Sequence, residues 1–184
     1  GKSTAFEGGT RVPCIMRWTG RIPAGSRCDE LATTMDLLPT VAQLIGADLL
    51  ADRTIDGQDI GPLIAAAPGA VSPHDVVYCY YNGELRAVRD RRWKLYFPHR
   101  YQTLGDRPGG RGGMPADYEQ AEIGMALYDL SVDVGEANNV AAEHPEIVER
   151  LSLAAERARA ALGDTLTGRI GGEVRPAGRL PDGP

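Results

Sequence analysis

The chain has 184 residues, of which 23 are glycine and 13 proline, so about one position in five favours a turn. That density argues against a helical bundle or coiled coil, and the length suffices for one ordinary domain or two small ones with a real core. A formal charge of −5 with both signs mixed along the chain, and no apolar run approaching 18 residues, leave neither a nucleic acid nor a membrane as an expected partner.

From the N-terminus, Gly1-Lys2-Ser3-Thr4 runs almost at once into Glu7-Gly8-Gly9-Thr10-Arg11, which reads as the inside of a domain rather than a frayed leader. Val12 to Trp18 is a short apolar run bounded by Pro13 and Thr19-Gly20 and predicts a strand entered after a glycine turn. Arg21 to Gly25 is a surface turn. Asp36 then stands where it would cap a helix whose first turn holds Pro39, with Leu38, Val41, Leu44 and Ile45 at helical spacing and Gly46 as terminator. Residues 48–73 carry Asp-Gly, prolines and an alanine-rich stretch, and predict a loop, a short turn of helix and a connector.

Beyond that connector the pattern changes to Val76–Tyr81, Leu85–Arg89 and Arg92–Phe97, three strand-like runs joined by Asn82-Gly83 and Asp90-Arg91 into an antiparallel meander. Pro98 to Ala121 is polar and glycine-rich without periodicity and predicts a long loop. Ala126–Leu130 predicts a fourth strand. His144-Pro145-Glu146 opens a long helix with an apolar stripe of Ile147, Leu151, Ala155, Ala158 and Leu162, the expected cover for the meander, and Gly163 ends it. The fold class is α/β, turning α+β in the C-terminal half, with expected divisions at residues 1–70, 71–163 and an extended Gly/Pro/Arg-rich tail, 164–184.

The residues alone offer little chemistry. Lysine occurs twice, at Lys2 and Lys94, against eighteen arginines. Gly1-Lys2-Ser3-Thr4 resembles the end of a phosphate loop only superficially, because no strand and glycine-rich run precede it, so Lys2 reads as an ordinary surface lysine. Glu7 and Arg11, four apart, suit an ion pair closing the glycine turn. His99 sits at the mouth of the glycine-rich loop, His144 at a helix start and His74 in the connector. Cys14, Cys28 and Cys79 show neither CxxC spacing nor histidine-rich flanks, and Asp52, Asp56 and Asp59 lack the calcium-loop pattern. No metal ligands or cofactor site is expected in this chain.

Taken in order, the motifs are specific. Gly1-Lys2-x-Thr4-x-Phe6-Glu7-Gly8-Gly9-x-Arg11-Val12-Pro13, Arg17-Trp18-Thr19-Gly20-x-Ile22-Pro23, Thr34-Met35-Asp36-Leu37-Leu38-Pro39-Thr40, Asp56-Gly57, Ala87-Val88-Arg89 with Trp93-Lys94, Leu127-Tyr128-Asp129-Leu130 and Gly135-Glu136-x-Asn138-Asn139 follow one another along the chain. Together they resemble the C-terminal part of the arylsulfatases, in the alkaline-phosphatase-like superfamily. The resemblance implies that residues 1–70 supply the closing strand and helices of the large sulfatase sheet domain. Residues 71–163 would form a four-stranded antiparallel sheet packed against a C-terminal helix.

The family hydrolyses sulfuric esters with a formylglycine nucleophile, made in a Cys/Ser-x-Pro-x-Arg motif, and with calcium. By resemblance Lys2 is the sulfate-contacting, catalytic and substrate-binding lysine, His99 is a further substrate-binding candidate, and Glu7, Gly8, Gly9 and Arg11 support the lysine. No Cys/Ser-x-Pro-x-Arg occurs here, and Cys14-Ile15-Met16-Arg17 lacks its proline. The chain is therefore expected to be inactive alone and to have as partners an N-terminal sulfatase region, in the same polypeptide or as a complementary fragment, and a sulfate-ester substrate. An oligomer through an exposed sheet edge is a further expectation. The alternatives are a phosphate or phosphonate monoester hydrolase of the same superfamily, or a non-catalytic structural or anion-binding module. The family implies a periplasmic or secreted location, whereas the unpaired cysteines suit a reducing, cytoplasmic one.

Overall fold

The computed structural model describes residues 4–176. In chain order it holds α1 (Glu7–Thr10), a 3₁₀ turn (Thr34–Asp36), α2 (Leu37–Ile45), α3 (Gly61–Ile64), β1 (Val77–Tyr81), β2 (Glu84–Arg89), β3 (Trp93–Tyr96), β4 (His99–Thr103), β5 (Glu119–Ile123), β6 (Ala126–Asp129), α4 (Pro145–Leu162), β7 (Gly163–Asp164) and β8 (Arg169–Ile170). The contacts divide the chain into two units: Val12–Val77, and the residues up to Arg11 together with Tyr78 onward.

The second unit is built on a four-stranded sheet in the order β1-β2-β3-β6. Asn82 and Gly83 both take positive φ, 50° and 80°, the backbone that a two-residue hairpin turn demands. Asp90 makes the next turn by accepting the backbone N–H groups of Arg92 and Trp93 on one carboxylate oxygen. β2 and β3 run antiparallel with Val88 opposite Leu95, and β3 and β6 with Leu95 opposite Leu127. Alternation along the strands then assigns the two faces. Trp93 and Leu95 share one face, on which α4 crosses β2 and β3 with Leu151, Ala154, Ala155 and Ala158 buried. The opposite face carries Lys94, Tyr96, Ala87, Ala126 and Tyr128, and there Ala5 and Phe6 pack.

Two segments differ from expectation. The long loop after Pro98 is a two-stranded ribbon, β4 with β5, in which His99 faces Ile123 and Tyr101 faces Ala121. His-Arg-Tyr-Gln-Thr and Glu-Gln-Ala-Glu-Ile do alternate, but their polar outer faces conceal the period. The tail expected from 164 begins instead with the β7–β8 hairpin, because buried Asp164 accepts the Leu85 and Leu166 amides and pairs with Arg159 Nε at 2.8 Å. The expected segment 1–70 is also divided, since Ala5 to Arg11 belong with the sheet.

The Val12–Val77 unit is organised by one carboxylate. Asp36, fully buried, accepts the amides of Thr33 (2.6 Å) and Gln58 (2.9 Å) and hydrogen-bonds His74 Nε2 (2.7 Å), tying the start of α2 to two later loops. Gly57 is required beside it, for a Cβ there would lie 2.0 Å from the Met35 carbonyl oxygen. α2 forms as predicted and ends at Gly46, which has φ +67°. It buries Pro39, Thr40 and Ala42, while Leu38, Val41, Leu44 and Ile45, the apolar residues at helical spacing, are exposed. Val12 to Trp18 is not a strand: no described strand pairs with it, and its backbone has no ladder to join.

Candidate functional site

The region singled out by sequence is the N-terminal segment around Glu7, and its geometry is built by β3. Lys94 sits in the centre of that strand with no exposed surface, and a buried ammonium requires compensation. Its Nζ lies 2.9 Å from Glu7 Oε1 and 3.2 Å from Glu136 Oε1. Arg89, opposite Lys94 in the β2–β3 register, brings a guanidinium nitrogen 3.1 Å from Glu7 Oε2. Two carboxylates thus face two cations inside the unit.

Directional bonds complete the cluster. The Glu7 N–H donates to Glu136 Oε2 at 2.7 Å, and Tyr96 OH lies 2.6 Å from Glu136 Oε1 and 3.0 Å from the Ala5 carbonyl oxygen. Burial, then the neighbouring Glu136 carboxylate, push the Tyr96 phenol far above its ordinary value, so it stays a neutral donor. The Phe6 ring stacks on Tyr96 at 5.0 Å and meets Tyr101 edge-on. Glu136 itself has a positive φ of 56° in the turn after Asp133, whose carboxylate accepts the Ala137 and Asn138 amides.

The sequence-derived residues are distributed unequally. Lys2 lies outside the described residues. Glu7, Gly8 and Gly9 form the single turn α1, closed by Arg11 N–H donating to the Glu7 carbonyl. The expected Glu7–Arg11 pair exists at 3.6 Å, but Glu7's closer partners are Lys94 and Arg89. Lys94 and Glu136, absent from the candidate site residues, are central to the cluster. The signal available in sequence was a lysine flanked by Trp93 and Leu95 in a strand, where a charge demands a buried partner.

His99 is buried at the base of the β4–β5 ribbon, beside a shallow cleft of about 400 Å³ bordered by Glu84, Arg100, Glu122 and Leu166. Its Nδ1–H donates to the Phe97 carbonyl oxygen at 2.7 Å, which leaves Nε2 as a lone-pair acceptor without a partner. Burial lowers its pKa, so at neutral pH the ring carries no charge to set against an anion. Among the described residues no three His, Cys, Asp or Glu side chains gather to hold a metal ion. Nor is any described helix long and apolar enough to cross a membrane.

This arrangement defines a mixed α/β protein whose second unit is an antiparallel sheet backed by one long helix, with an N-terminal segment bonded to the other face. The family described as the C-terminal region of aryl-sulfatase matches residues 72–171. The chain belongs to the sulfatase family, within the alkaline-phosphatase-like superfamily. It is 34% identical to the steryl-sulfatase of Mus musculus over 88% of this chain and 28% of that protein. To arylsulfatase A of Homo sapiens it is 37% identical, over 82% of this chain and 31% of that one. The chain thus spans less than a third of the length of these relatives.

Among solved structures, one from work on the metabolism of multiple glycosaminoglycans by Bacteroides thetaiotaomicron aligns with a TM-score of 0.66 at 26% identity, over 86% of this chain and 31% of the other. A second, solved with its substrate D-glucosamine-2-N,6-O-disulfate, shares the fold with a TM-score of 0.50 at 19% identity, over 78% of this chain and 27% of that one.

Proposed function

We propose that this chain is the C-terminal portion of a sulfuric ester hydrolase acting on aryl or carbohydrate sulfates, in which Lys2 contacts the substrate sulfate. The observation that carries the reading is the attachment of Ala5 to Glu7 to the sheet of the family-matched unit, three to five residues after Lys2. A lysine in that role supplies a point charge to the oxygens that gain charge as the sulfuryl group transfers.

Formylglycine and calcium belong, in this reading, to another part of the enzyme. This chain contains no Cys/Ser-x-Pro-x-Arg, and among its described residues no three His, Cys, Asp or Glu side chains come together. His99, neutral and with its Nε2 buried, offers no charge to the sulfate and is kept as a substrate-binding candidate only for the cleft that it borders. The location follows the family, periplasmic or secreted.

The purified chain incubated with an aryl sulfate and calcium tests the division of labour. No turnover is expected, and turnover that survives repurification would overturn the proposal.

A further inference from the structure

We propose that His99 is a protonation-sensitive latch: as a neutral ring it holds the base of the β4–β5 ribbon on the four-stranded sheet, and on gaining a proton it lets that base open.

The ribbon is inserted in the chain between β3 and β6, which are neighbours in the sheet, and it forms a separate two-stranded ladder. His99, its first residue, lies opposite Ile123, its last. Its contacts with the sheet gather at that end. The His99 ring stacks on Tyr96 with centroids 6.2 Å apart and tilts against Tyr101 at 6.1 Å, Tyr101 meets Phe6, and Ile123 packs on the cluster that holds Ala87, Tyr96 and Ala126. Arg100, Gln102, Gln120 and Glu122 are exposed. A two-stranded hairpin alone is marginally stable in water, so the ladder depends on these base contacts.

A phenylalanine would fill the same space between the tyrosines. Histidine adds a charge that can appear between pH 5 and 8, and the surroundings favour the neutral form. Nδ1–H is already bonded to the Phe97 carbonyl oxygen, and Nε2 is enclosed with no partner among the described residues. Protonation would place an N–H and a positive charge in that enclosure with no acceptor.

The neighbouring groups do not reverse this preference. From β2, Arg86 opposes the imidazolium and Glu84 favours it, and the two are bonded to each other at 2.8 Å. From β3, Tyr96 is a neutral phenol whose hydroxyl donates to Glu136. From β4 comes the Tyr101 hydroxyl, while Arg100 is exposed and paired at 3.0 Å with Glu122 of β5. The β7–β8 turn brings the apolar Leu166 to the adjoining cleft.

The ring is therefore a weaker base when attached than when released, where it regains the ordinary value of about 6.5. The ribbon is held most firmly above that value, and attachment weakens as pH falls through it toward the lower folded-state value. A released ring at pH 5.5 is about ten times more often protonated than neutral, so opening rises by at most about tenfold between pH 7.5 and 5.5. The cleft of about 400 Å³ draws Arg100, Glu122 and Ile123 from the ribbon and Glu84 and Leu166 from outside it, so the state of His99 sets the width of that cleft.

Amide exchange in this chain, expressed as protection factors at about pH 7.5 and 5.5, tests the latch. Protection over residues 99–103 and 119–123 should fall about three- to tenfold in acid, α4 protection should be unchanged, and the His99→Phe ribbon should be equally protected at both pH values. The ring ¹³C and ¹⁵N shifts of unmutated His99, which need no variant, should show the Nδ1–H tautomer at neutral pH and titration below about 6.5. Ribbon protection that ignores pH or falls equally in parent and His99→Phe, α4 amides that lose protection in step with the ribbon, or a ring that titrates at or above the ordinary histidine value would each overturn the proposal.

Discussion

Lys94→Met is the perturbation whose energetic consequence the structure specifies most fully. The substitution removes a cation 2.9 Å from Glu7 and 3.2 Å from Glu136, both with side chains nearly closed to solvent. Arg89, 3.1 Å from Glu7, is then the nearest remaining counter-charge, and Glu136 keeps only the Tyr96 hydroxyl and the Glu7 amide. Breaking a buried pair by removing one partner costs about 3–5 kcal/mol. For a unit of ~100 residues that lowers Tm by roughly 12 °C or more.

Urea and thermal melts followed by Trp93 in a Trp18→Phe background report the sheet unit alone, because the other tryptophan lies in the Val12–Val77 unit. The compensated variant, Lys94→Met with Glu136→Gln, leaves Glu7 against Arg89 and should recover at least half of the loss. A Lys94→Met protein within about 1 kcal/mol of the parent, or a compensated variant no better than the single, would refute the charge-balance argument.

Burial pushes the Asp36 carboxyl up, but hydrogen bonds from Gln58, Thr33 and His74 outweigh it and hold the pKa below the ordinary carboxylate value. A depressed folded-state pKa stabilises above the unfolded value of about 3.9 and is lost as pH falls through the folded one. Amide exchange in α2 should therefore accelerate below about pH 4, with a shallower dependence in Asp36→Asn. Arg92, paired with both oxygens of Asp129, holds that carboxyl well below its usual range, so Arg92→Ala should raise the Asp129 pKa measured by carboxyl ¹³C NMR. Leu151→Ala, at a fully buried site on α4, should cost about 2–5 kcal/mol in the Trp93-detected melt. Gly57→Ala, which forces a methyl into the Met35 carbonyl, should destabilise the Val12–Val77 unit by at least about 1–3 kcal/mol, read by α2 amide exchange.

The elements legible in sequence were those with strong local chemistry. Asn82-Gly83 marked the hairpin, Gly46 ended α2, and Pro145 with the stripe of Leu151, Ala155 and Ala158 announced α4; Asp36 precedes α2 as expected, but its carboxylate caps no α2 amide and serves Thr33, Gln58 and His74 instead. Less legible was whatever depends on a partner. Val12 to Trp18 has strand composition without a described neighbour to pair with, and α2 turns its apolar stripe outward while burying Thr40, whose hydroxyl accepts the Ile60 amide. The β4–β5 ribbon was concealed by Arg100, Gln102, Gln120 and Glu122 on its outer face.

The candidate site was half legible. The Glu7-Gly8-Gly9 turn stood out by motif, but its bond to Lys94 spans 87 positions and that to Glu136 spans 129, distances over which no local pattern operates. His74, a connector histidine by sequence, is the partner of Asp36 for the same reason.

The most direct measurement is the rate of aryl sulfate hydrolysis by the complete enzyme with Lys2 replaced by alanine. A sulfate-contacting lysine should account for ~2–4 kcal/mol of transition-state stabilisation, so kcat/KM should fall about 30- to 10³-fold with the Trp93-detected melt unchanged. An unchanged kcat/KM would contradict the account and leave Lys2 without a part in catalysis.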